Sequence, residues 1–249
     1  MPQVPSTLEE AVEQAKEATK VALEAGCGRI QVELVVPEIA LQAQSLALEF
    51  TSLLEDYGSG LRVLFPDTGA AALARRDWGE TVFQVSDLGS RFIPVDMKIS
   101  EEDTAFLVVS PSAIEVNSVE KLCNLAGDRP VVLLIPQLED VSVVGIGLAA
   151  RQLRERFLST LESSYYFRPL EGAVVLRSYP SLWQVWLEGE EDYQLIAEEP
   201  QKPAGERLDL LIAGAVTGNS DENENAQAPK PKKPGLLTNM QRFFRALSQ

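Results

Sequence analysis

The sequence predicts an α/β domain: a mostly parallel, Rossmann-like sheet flanked by helices, with an antiparallel strand set towards its C-terminal end. Three observations predict it. Strand-like and helix-like patterns alternate from residue 6 to about 162, as parallel βαβ units require. The run VVLLI, 131–135, is apolar throughout, as in a strand covered on both faces. From 164 to 198 the alternation stops, and short strand patterns follow one another directly.

Taken in order, residues 6–25 read as a helix, with Ser6 and Glu9 in capping-box positions and Leu8, Val12, Ala15, Val21 and Ala22 at helical spacing. Gly26 and Gly28 stop it, and RIQVELVV, 29–36, is a strand ended by Pro37. A second helix is expected over 38–56, closed by Gly58 and Gly60. LRVLF, 61–65, is a strand leading into a turn and third helix at PDTGAAALARR. Strands follow at 81–87 and 104–110, then a helix at 117–126, the strand at 131–135 and an Arg-rich helix at 147–162. SSYYFRP, AVVLRSY, LWQVWLE and YQLIAEE are then four strands. The last two flank Gly189 as a hairpin, on one edge of the sheet or in a small appended layer. A helix over about 204–213 finishes the body.

The division expected is a domain over 1–215, a linker over 216–235 and a terminal helix over 236–249. The linker's GNSDENENAQAPKPKKPG has no apolar side chain larger than alanine. It cannot offset its ordering entropy, so disorder is expected. In LLTNMQRFFRALSQ, by contrast, Leu236, Leu237, Met240, Phe243, Phe244 and Leu247 fall on one helical face, flanked by Arg242 and Arg245. Charge follows the same division. Residues 216–249 carry five basic and three acidic side chains, which leaves −17 on the body of a chain whose net charge is −15. Such asymmetry marks an interaction tail and argues against nucleic acid as a partner.

The chemistry the sequence excludes is as informative. The 249 residues include no histidine, which removes Ser-His-Asp and Cys-His catalysis and histidine-ligated zinc. Cys27 and Cys123 lie far apart and are expected to pack as small apolar groups in a reducing compartment. Asp221, Asn223 and Asn225 imitate a calcium loop. Ala226 and Lys232 stand where its glycine and glutamate belong, so no metal site is expected. Neither a cofactor nor a catalytic residue is expected. Two weak anion-binding candidates remain. Asp67, Thr68 and Gly69 lie where a parallel strand ends and a helix begins, a position that equally suits a helix cap. Gly145, Gly147 and Ala150, ahead of Arg151, match G-x-G-x-x-A at a helix entrance, although the preceding strand ends too early for a dinucleotide fingerprint. The aromatic concentration Tyr165, Tyr166, Phe167, Trp183 and Trp186 is expected to pack in the core and at the sheet edge, because the acids around it repel phosphates.

ERFLSTLESSYYFRPL (155–170) and VLRSYPSLWQVW (175–186) resemble a domain-of-unknown-function family of cyanobacteria and plastids, as do PSTLEEAVEQAKEA and RPVVLLIPQLED. The resemblance runs over about 2–213 and leaves out the tail. That family includes the plant low photosystem II accumulation proteins and a domain fused to a plastid adenylate kinase. The resemblance implies a photosynthetic organism, a role near thylakoids and no catalytic residues. The expectation is therefore an assembly or interaction factor, cytoplasmic or peripheral on the cytoplasmic face of the thylakoid. It would dock through 236–249 on a membrane surface or a membrane-bound protein. The alternative is a nucleotide- or phosphate-binding enzyme at the carboxyl edge of the sheet.

Overall fold

A computed structural model describes residues 3–139, 148–190 and 192–220, without the side chains of 216–220. Of the linker expected over 216–235, residues 221–235 lie outside the described residues, as do the helix expected over 236–249, Gly145 and Gly147. The element order is α1 (Leu8–Glu24), β1 (Arg29–Leu34), α2 (Ala43–Thr51), β2 (Leu61–Phe65), α3 (Thr68–Trp78), β3 (Gln84–Asp87), β4 (Ala105–Val109), α4 (Val116–Ala126), β5 (Val131–Leu134), α5 (Leu148–Arg156), β6 (Glu162–Leu170), β7 (Ala173–Ser178), β8 (Trp183–Glu188), β9 (Tyr193–Glu199) and α6 (Gly205–Ser220). Nine strands make one sheet in the order β3-β2-β4-β5-β1-β6-β7-β8-β9. The α/β class is as expected. Strands β2 and β3, β2 and β4, β4 and β5, and β1 and β5 pair parallel, whereas β6 to β9 form an antiparallel meander at one edge.

The chain divides into two compact units. The first comprises Thr19–Glu33 and Ile39–Ser164. Its β4 and β5 are buried along their whole length, as the uninterrupted apolar run requires. On one face Leu64, Phe106, Val108, Val131 and Leu133 pack against Val119, Leu122 and Cys123 of α4 and Leu153 of α5. Burying that many large side chains is the main stabilising term, at roughly 1.5–3 kcal/mol each. The second unit holds the meander, where Tyr166, Val175, Trp183 and Val185 pack against Leu208, Leu211 and Ile212 of α6.

The strand expected over 81–87 forms only at Gln84–Asp87, and the one over 29–36 ends at Leu34. Four other boundaries differ from expectation for a local reason. The cap of α1 is Thr7 rather than Ser6: its hydroxyl accepts the Glu10 N–H, while the Glu10 carboxylate reaches back to the Ser6 N–H at 2.7 Å. The helix expected over 38–56 is split into a 3-10 turn at Ile39–Gln42, α2, and 3-10 turns over Ser52–Gly60. Thr51 and Ser52 donate their hydroxyls to the Leu48 and Glu49 carbonyls, which weakens helix continuation there, and Leu54 departs from helical geometry. Helix α5 stops at Arg156 because Phe157 leaves helical geometry to become fully buried. Helix α6 runs past 213 to Ser220, so residues 216–220, expected to open the linker, are helical instead. Cys123 is buried as expected, and burial pushes its thiol up to about 12, but Cys27 is only half-buried.

Candidate functional site

In an open α/β sheet, ligands gather outside the carboxyl ends of adjacent parallel strands whose chains leave in opposite directions. Strands β2 and β4 fit this description, since the chain passes from β2 to β3 on one side and from β4 to β5 on the other. The loops at that edge carry Asp67, Thr68 and Gly69 after β2, Asp87 and Gly89 after β3, Ser112 and Glu115 after β4, and Gln137 after β5. Ser110 and Ile135 hold positive φ of 47° each, immediately before Pro111 and Pro136. Such a conformation is unusual for a β-branched residue. It turns the two strand ends together, so that Gln137 N–H reaches the Pro111 carbonyl at 2.8 Å.

The polar groups of this edge bind one another. Asp67 caps α3 by accepting the Ala70 N–H at 2.9 Å, so a carboxylate already occupies the place an anion would take at that helix end. Thr68 donates its hydroxyl to Asp87 Oδ2 at 3.3 Å, where Lys98 Nζ also donates at 3.1 Å, and the Gly89 N–H fills Asp87 Oδ1 at 2.9 Å. Burial opposes the Asp87 charge, but Lys98, the Gly89 N–H and Thr68 outweigh it and hold the carboxyl below its ordinary range. Glu115 Oε2 takes both the N–H and the hydroxyl of Ser112, at 2.9 and 2.6 Å, at the start of α4. The expected anion residues therefore divide. Asp67 and Thr68 join a satisfied network, Gly69 stands in the first turn of α3, and Arg151 is exposed on α5.

The opposite ends of the same strands carry a second ionic cluster. Arg62 Nε donates to Asp103 Oδ2 at 2.7 Å, and the Ser100 N–H reaches the same oxygen at 2.7 Å. Asp103 is 1% exposed, and its Oδ1 has no partner among the described residues. Arg129 ties this end together by donating to the carbonyls of Ser100, Asp103, Leu125 and Ala126, closing the C-terminal end of α4. A depression of about 400 Å³ beside it is lined by Asp96, Ile99, Ser100, Glu101, Leu125 and Arg129. The Arg129 donors point at carbonyls, so it is not free to grip an anion there.

In the meander, Tyr165 and Phe167 are fully buried, and Tyr166 meets Trp183 edge to face with centroids 5.1 Å apart. Lys202 lies 3.9 Å from the Tyr166 centroid. The aromatic concentration is core packing, with a cation seated on it. Of these arrangements, S-x-x-E at Ser112–Glu115 was readable as a capping signature. The Asp87–Lys98 and Arg62–Asp103 pairs join residues 11 and 41 apart and have no local pattern.

Among the described residues, no helix is long and apolar enough to cross a membrane. A family model described as a domain of unknown function (DUF1995) matches residues 5–210, and the chain belongs to that family.

Proposed function

We propose that this chain is a non-catalytic assembly or interaction factor, linked to photosystem II and thylakoid protein biogenesis. It docks reversibly on a membrane or a membrane-bound partner through residues 236–249. The observation that carries the proposal is the pairing of an acidic body with the apolar stripe Leu236, Leu237, Met240, Phe243, Phe244 and Leu247 and its flanking Arg242 and Arg245. Each large side chain contributes about 1.5–3 kcal/mol when fully buried. Each basic residue near an anionic leaflet adds about 1 kcal/mol. Ordering a dozen residues and repulsion by the body offset much of this, so binding is weak, reversible and salt-sensitive. The self-satisfied carboxyl edge also supports an interaction role, because the side chains best placed to act on a ligand are bound to each other.

Liposome flotation and affinity capture from the protein's own cells, with and without 234–249, test the proposal. Recovery should fall at least several-fold without the segment, and equal recovery would sink it. The position of β2 and β4 motivates a second reading, a nucleotide- or phosphate-binding enzyme at the carboxyl edge. That reading predicts a rise in Tm with millimolar nucleotide or sugar phosphate.

A further inference from the structure

The meander has two unlike faces. Tyr166, Val175, Trp183 and Val185 lie on one, beneath α6. The other follows from the register, because residues directly opposite each other on paired strands share a face. Phe167 pairs with Leu176, Leu176 with Gln184 and Gln184 with Glu198, while Val174 pairs with Trp186 and Trp186 with Leu195. Glu188 and Tyr193 form the last rung of this face. Burial falls off across it. Phe167, Val174 and Leu176 are fully buried, Trp186, Leu195 and Tyr193 are half-buried, and Glu188 and Glu198 are exposed. The Trp186 indole N–H donates to Gln184 Oε1 at 3.3 Å, and Gln184 Nε2 donates to Glu198 at 2.9 Å, so these side chains form one surface. Burial, and then the Glu188 charge, push the Tyr193 phenol up to about 12.

This face has a complement within the chain. Trp186 and Leu195 lie between Glu198 on one side and Glu188 on the other, with Glu190 and Asp192 in the adjoining turn. Residues 226–249 carry five basic side chains and no acidic one, and Phe243 and Phe244 stand between Arg242 and Arg245. Reach agrees with charge. The tail follows α6, which packs on the other face of the same strands, and β9 is the outermost strand. Residues 221–235 span about 21 Å as a coil, and passing from one packed layer of a sheet to the other takes about 20 Å. We propose that residues 236–249 dock on this face of β8 and β9, with Phe243 and Phe244 over Trp186 and Leu195 and the arginines at Glu188 and Glu198. A tether of this length holds the segment at an effective concentration on the order of millimolar, so even weak docking is populated. The contact deepens the docking function and rests on it only for its consequence. The stripe that meets a membrane is the one held here, so membrane docking begins with release.

The test uses the full chain with a photoreactive p-benzoylphenylalanine at position 244. Irradiation at micromolar protein, read by mass spectrometry, should join position 244 to residues 184–198 of the same molecule. Glu188→Lys with Glu198→Lys should lower that yield about fivefold, and Glu188→Gln with Glu198→Gln should lower it less. Both side chains are exposed, so Tm should hold. In flotation with vesicles one-third phosphatidylglycerol, the lysine pair should raise recovery several-fold. That rise should vanish once Phe243→Asp and Phe244→Asp are added, because it comes from a released stripe. Crosslinks elsewhere on the body, crosslinks only between molecules, or a yield unmoved by the lysine pair would overturn the proposal. So would a rise in recovery that persists without the stripe, or no rise in a chain that floats. If crosslinking fails while flotation still needs 236–249, the docking function stands and this contact falls. If crosslinking succeeds while no form floats, the contact stands and the membrane reading falls.

Discussion

Asp87 and Asp103 stand at opposite ends of the parallel strands, each nearly buried and each paired with a base, yet they are held differently. Asp87 is the junction of three segments: both of its oxygens are filled, by Lys98, Thr68 and the Gly89 N–H, and Lys98 keeps a quarter of its side chain in water. Asp103 shares one oxygen between Arg62 and Ser100, leaves the other without a described partner, and pairs with a guanidinium only 11% exposed. Asp87 therefore behaves as a hydrogen-bonding hub. Asp103 is one half of a desolvated ion pair, whose Coulombic gain offsets a large desolvation cost only while both partners remain.

The largest expected effect follows from breaking that pair. Asp103→Ala should cost about 3–5 kcal/mol in urea unfolding, because Arg62 is left buried without its counter-ion. Adding Arg62→Met should recover most of the loss, since an apolar pair of similar volume often replaces a buried ion pair without penalty. A single-variant cost below about 1 kcal/mol would erase the distinction between the two aspartates.

Asp87→Asn should cost less, about 1–3 kcal/mol, because it removes a charged acceptor but keeps the side-chain shape. Its cost should also depend on pH. The folded carboxyl sits below its ordinary value, so its contribution is complete above the unfolded pKa of about 3.9 and disappears as pH falls through the folded one. Urea midpoints of wild type and Asp87→Asn should differ by a constant amount near neutrality and converge in acid. A gap that widens in acid would assign the wrong sign.

Asp67→Ala should cost about 1 kcal/mol through loss of the α3 cap, and Asp67→Ser should restore nearly all of it. If Asp67→Ala instead left stability unchanged and abolished a ligand-dependent rise in Tm, the phosphate-binding reading would gain ground. Arg151→Ala should change stability by less than about 0.5 kcal/mol, as for an exposed side chain on a helix surface.

Much of this fold was legible in the sequence because its signals are local. The apolar run at 131–135, the switch from alternation to consecutive strands after 162, and the Gly189 hairpin each need only a short window of chain. The sheet order was not legible, because β1 lies between β5 and β6, a placement no short window encodes. The break in the helix expected over 38–56 was hidden for a related reason. Thr51 and Ser52 tolerate helix on propensity alone, and only their hydroxyl bonds to Leu48 and Glu49 show why it ends there. At the candidate site the cap at Asp67 was readable, but its coupling through Thr68 to Asp87 and Lys98 depends on three loops meeting.

The two outer strands have a consequence for how such molecules coexist at high concentration. An open sheet edge is a template on which another chain can grow as a further strand. At one end β3 offers four residues, too few to seed a stable addition. At the other, β9 finishes in Glu198 and Glu199, which are bound to Gln184 and Arg207. Carboxylates there confront any incoming copy of so acidic a chain with like charge. Among the described residues, a nine-stranded sheet with two outer strands is thereby protected against seeding fibrils, a form of colloidal protection written into a four-residue strand and its most acidic one.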